Sequence, residues 1–116
     1  MAMHIEIVKR PLGEAPEWVR DAWIGIRLPL LRSDRRAYYG FGVITGPRGY
    51  FRQLAALFTG RAEKTEGYAV NALKAIETLD SHSPDAARWW RENTPHFLDG
   101  KRNFVFDSYC CVRRPD

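Results

Sequence analysis

The chain has 116 residues, 45% of them hydrophobic, 28% charged and 13% aromatic, with a formal net charge of +4. That is the length of one domain able to bury a core of its own, so the reading is a single α+β domain over 1–116, and the composition excludes disorder of the whole chain. No apolar run is long enough for a membrane span or export signal, and adjacent Cys110 and Cys111 cannot make a disulfide framework, so a cytoplasmic, bacterial protein is expected.

His4 to Lys9 alternates, with Ile5 and Ile7 on one face, and predicts a strand ended by the Pro11-Leu12-Gly13 turn. Glu17 to Arg20 reads as a short helical lead-in. Ala22 to Leu28 predicts a second strand, with Ala22, Ile24, Ile26 and Leu28 on the apolar face and Trp23 on the other. Pro29 lacks an amide hydrogen and stops that ladder. Tyr38 to Ile44 predicts a third strand, after a charged loop from Arg32 to Arg36.

Phe51, Leu54, Leu57 and Phe58 then fall at helical spacing, with Gly60 as a stop, which predicts a helix from about Tyr50 to Thr59. Arg61 to Glu66 is a polar connector. A short strand from Gly67 to Val70 leads into Asn71, whose side chain suits the cap of a helix carrying Leu73, Ile76 and Leu79. Ser83-Pro84-Asp85 marks another helix start, with serine as the cap and proline at the first position. That helix carries Ala86, Ala87, Trp89 and Trp90 and ends near Asn93, before Pro95. Asn103 to Val112 reads as a closing strand with Phe104, Phe106, Cys110 and Val112 on one parity, followed by a frayed Arg113–Asp116 tail.

The expected architecture is an antiparallel sheet of about four to five strands with two to three helices on one face. An SH3-like small barrel with helical insertions is the alternative.

The chemical signals are sparse. Gly40-Phe41-Gly42 followed by Gly46 is not G-x-G-x-x-G, because the third glycine comes one residue late and a charged loop stands where a buried strand is needed. Glu63 and Glu66 alone do not restore a dinucleotide site, and no Walker lysine follows the glycines. What remains is an anion site at Arg48, Gly49 and Arg52, where a turn feeds a helix and unpaired amides point outward. Residues 1–61 hold ten Arg and Lys against five Asp and Glu, and Arg32, Arg35, Arg36, Arg48 and Arg52 interleave with Tyr38, Tyr39, Phe41 and Tyr50. Segment 32–52 therefore also suits a nucleic acid or another phosphate-containing ligand.

No catalytic residue, metal or cofactor is indicated. His4, His82 and His96 are scattered, and neighbouring cysteines on a strand project to opposite faces and do not share one metal. The surplus of aromatics points to an interaction module that self-associates, with Trp23, Trp89 and Trp90 as interface residues and a homodimer as the product. An enzyme with an unrecognised site is the last alternative.

Overall fold

The computed structural model describes residues 3–13, 15–30, 36–39, 64–107 and 109–115, those at 36–39 and 64–67 through their backbone. In chain order they form β1 (Met3–Ile7), α1 (Glu17–Asp21), β2 (Arg27–Pro29), β3 (Arg36–Tyr39), β4 (Lys64–Asn71), α2 (Ala72–His82), α3 (Pro84–Asn93), a 3-10 turn (Pro95–Phe97), β5 (Asn103–Asp107) and β6 (Cys111–Pro115). The protein is α+β and antiparallel throughout its described ladders. In place of one continuous sheet the described strands form two three-stranded sheets, ordered β2-β1-β6 and β3-β4-β5. The described ladders do not close into a barrel.

The chain passes between the sheets at residues 109–110, where a single strand over 103–112 was expected. Asp107 makes the break: its carboxylate Oδ1 accepts from the Tyr109 amide at 2.9 Å and its carbonyl accepts from the Cys110 amide at 3.0 Å. An aspartate that binds backbone two residues on mimics a turn and ends the ladder. β6 then pairs with β1 from Ile7↔Cys111 to Met3↔Pro115, so Arg113 to Pro115 belong to a strand and not to a frayed tail.

A second departure lies at 22–25. Trp23, Ile24 and Ile26 donate their amides to the carbonyls of Arg20, Asp21 and Trp23, so α1 runs on into tight turns instead of a strand. Gly25 has φ +89°, a left-handed backbone that favours glycine, and donates to the Ile7 carbonyl at 2.7 Å. Strand alternation survives only over Ile26 to Pro29, where Ile26 and Leu28 are buried and Arg27 and Pro29 are exposed.

The helices follow the sequence more closely. Asn71 caps α2, its side-chain oxygen accepting from the Lys74 amide at 3.1 Å while its Nδ2 donates to the Gly100 carbonyl at 3.0 Å. Ala72, Ala75, Ile76 and Leu79 form the buried stripe of α2. Ser83 precedes α3 as expected, but its hydroxyl makes no cap hydrogen bond, and its backbone carbonyl accepts from Ala87 instead. β4 begins at Lys64, inside the stretch read as a polar connector, because Lys64 to Gly67 pair with β3 before Gly67 to Asn71 pair with β5. The expected helix over about 50–59 and the end of the strand toward Ile44 lie outside the described residues.

Both described sheets and all three described helices contribute to one hydrophobic cluster. At its centre Trp23 meets Trp90, Phe104 and Phe106 edge to face, with ring centroids 6.4, 6.2 and 5.4 Å away. Such aromatic contacts contribute about 0.5–1.5 kcal/mol each beyond area burial. The indole N–H groups of Trp23 and Trp90 meet no acceptor among the described residues, which offsets part of that gain.

Candidate functional site

The four tryptophans take two different places. Trp23 and Trp90 are fully buried, which corrects their expected role at an interface: a side chain enclosed by Phe104, Phe106 and the other indole has no face left for a partner. Trp89 is half-buried, and Trp18 is 52% exposed. Trp18 was not among the expected interface residues Trp23, Trp89 and Trp90; it lies beside Glu17 on a five-residue helix whose buried residue is Val19.

Trp18 and Trp89 wall an open cleft of about 400 Å³ together with Asp85, Arg88 and Glu92. Its position follows from two local arrangements. On one side, α1 is clamped by arginines: Arg10 holds Asp21 through Nε at 2.6 Å and Nη2 at 3.0 Å, and reaches Glu17 at 3.2 Å. Arg20 Nε donates to the Ala15 carbonyl at 2.8 Å and its Nη1 to the Pro11 carbonyl at 3.3 Å. These bonds fix a helix too short to persist alone and hold Trp18 outward.

On the other side, successive residues of α3 diverge by about a hundred degrees, so Trp90 enters the core while Trp89 stays at its rim. The two rings meet edge to face at 5.0 Å, which gives the cleft a floor continuous with the core. Thr94 closes the helix beneath them, its buried hydroxyl donating to the Trp90 carbonyl at 2.6 Å. Arg91 joins α3 to Asp80 of α2 at 3.5 Å.

The charges in the cleft are mixed. Arg88 pairs with Asp85 one turn earlier at 3.0 Å, and Glu92 lies one turn beyond. Indole faces beside two carboxylates and a guanidinium suit apolar contact with salt-bridging at the rim. Among the described residues lining the cleft no nucleophile is paired with a base. Among the described residues no group of three or more His, Cys, Asp or Glu is placed to hold a metal ion, and no helix is long and apolar enough to cross a membrane.

Arg48, Gly49 and Arg52 lie outside the described residues, as does most of segment 32–52, of which 36–39 forms β3. The cysteines are described fully. Cys110 and Cys111 are both buried, and the turn that starts β6 undoes the strand parity expected to separate them. Their Sγ atoms approach the same acceptor, the Asp107 carbonyl, at 3.0 and 3.3 Å. A hydrogen bond from the Cys111 thiol lowers the pKa of Cys110, whereas that bond and burial raise the pKa of Cys111. Comparison of the chain with protein-family models, with curated proteins and with solved structures finds no match.

Proposed function

We propose that the protein is a non-enzymatic interaction module that pairs with a second copy of itself through the face around Trp18 and Trp89. The observation that carries this reading is a tryptophan left 52% exposed on an arginine-clamped helix, across a cleft from a second indole. Tryptophan is the residue type most often found anchoring an interface, because it removes a large apolar area from water at low cost in side-chain entropy.

The charges on the same face favour self-recognition. An acid and an arginine one helical turn apart are self-complementary: a two-fold axis crossing α3 between them sets each Asp85 opposite the other copy's Arg88. A stable pair buries roughly 800 Å² on each partner, so the cleft is the centre of this interface and the exposed parts of α1 and α3 its rim. A bacterial cytoplasm suits the reading, since its thiol pool returns any Cys110–Cys111 disulfide to two free thiols.

Sedimentation velocity across a concentration series tests the proposal. The natural chain should sediment as a dimer that dissociates on dilution, and Trp18→Ala and Trp89→Ala should each shift it to monomer. A natural chain that stays monomeric at high concentration ends the proposal.

A further inference from the structure

We propose that Cys110 and Cys111 are a reversible redox modification site, closing a disulfide with each other at the expense of a low-molecular-weight disulfide, and that closure loosens the attachment of β1. The inference stands apart from the Trp18 and Trp89 face. Two adjacent thiols share one carbonyl acceptor, Asp107 O, at 3.0 and 3.3 Å, which gathers their sulfurs on one side of a turn instead of on opposite faces of a strand. Both are free and buried inside the protein.

Burial makes a thiol inert unless something opens, and here the opening element is identifiable. The turn is fastened through Tyr109, itself 42% exposed, whose hydroxyl donates to the Arg10 carbonyl at 2.6 Å and whose amide donates to Asp107 Oδ1 at 2.9 Å. When Tyr109 swings out, the peptide carrying both cysteines goes with it.

Cys110 is the attacking thiol, because the hydrogen bond from Cys111 favours its thiolate. Its sulfur attacks one sulfur of the small disulfide, forms a mixed disulfide and expels one thiolate, which takes the proton of Cys111. Cys111 then attacks the Cys110 sulfur and expels the second small thiolate, which is protonated by the proton Cys110 lost. Two protein thiols are oxidised and one small disulfide is reduced to two thiols.

The consequence follows from where the ring closes. Neighbouring Cα atoms are about 3.8 Å apart, whereas disulfide-linked ones usually stand about 4.4–6.8 Å apart, so closure must twist the peptide between them and a reductant readily undoes it. That peptide's carbonyl, Cys110 O, accepts from Val8 at 2.8 Å and Lys9 at 3.1 Å, beyond the Ile7↔Cys111 pair that begins the β1–β6 ladder. Twisting it withdraws the one acceptor from both amides at once.

The test incubates the native chain with glutathione disulfide, followed by intact mass and peptide mapping. Expected is the loss of two hydrogens from the peptide holding Cys110 and Cys111, reversed by dithiothreitol, with faster amide exchange at Val8 and Lys9 in the oxidised form. Tyr109→Phe, which removes the hydroxyl latch, should close roughly fivefold faster. Cys111→Ser should stop at one bound glutathionyl group; if that variant does not fold, the mass of the natural chain decides alone. The proposal is overturned if both thiols survive a long incubation, if each takes its own glutathione, or if the disulfide forms between chains. Unchanged exchange at Val8 and Lys9 in the closed form overturns the coupling to β1.

Discussion

The aromatic core around Trp23 and Trp90 and the outer face around Trp18 and Trp89 are built from the same residue type, one position apart on α3, yet they do opposite things. In the core each indole is enclosed by rings and its N–H finds no acceptor among the described residues, because the area removed from water outweighs one lost hydrogen bond. On the outer face the indoles keep water contact, and the part of their area left exposed contributes nothing to the monomer until something covers it. Neighbouring tryptophans in a sequence are therefore not one signal, since a helix separates their directions by about a hundred degrees.

The widest separation between the two regions should be in monomer stability. Trp90→Ala should destabilise the fold by about 3–5 kcal/mol, through lost burial and the cavity left against Trp23 and Phe104, whereas Trp18→Ala should change it by no more than about 0.5 kcal/mol. Urea unfolding at a concentration low enough to hold the chain monomeric measures both. Comparable losses at the two sites would break the contrast.

A smaller effect sharpens it. Thr94→Val keeps the shape at the end of α3 but removes the hydroxyl that donates to the Trp90 carbonyl at 2.6 Å. The Thr94 amide donates to that same carbonyl at 2.8 Å, so the acceptor is not left empty. The expected cost is about 0.5–1 kcal/mol by the same urea measurement. A cost as large as that of Trp90→Ala would mean that the helix end, and not ring burial, holds the core.

The smallest effect concerns the clamp on the outer face. Arg10 holds the Asp21 carboxyl below its ordinary pKa, first through the hydrogen bond and then through its charge. A depressed folded-state pKa contributes stability above the unfolded carboxylate pKa and loses it as pH falls through the folded value. Acid should thus loosen α1 while the aromatic core holds, visible as fluorescence of Trp18 shifting before that of the buried indoles. Arg10→Ala should remove this early step, and a single concerted transition in the natural chain would show that α1 is not separately clamped.

How much of this was legible in the sequence differs between neighbouring elements. Pro84 and the pre-Pro95 position bounded α3, Asn71 announced the cap of α2, and alternation at Ile5 and Ile7 placed β1, because each signal acts through backbone geometry within a few residues. The same kind of reasoning failed at 22–25 and 109–110, where alternation continued in the sequence while the chain turned. Trp23 changed sides there, and an Asp107 side chain bent one expected strand into two belonging to different sheets.

Residues of this sequence thus determined on their own the α+β class, the antiparallel pairing, and the start and end of α3. Only the tertiary structure decided which tryptophans are enclosed, that the strands divide into two sheets, and that Cys110 and Cys111 face one carbonyl instead of opposite sides. Proline, asparagine and short-range alternation restrict dihedral angles locally, whereas burial depends on what arrives from distant segments, and a single residue's turn in the backbone reverses every side chain that follows it.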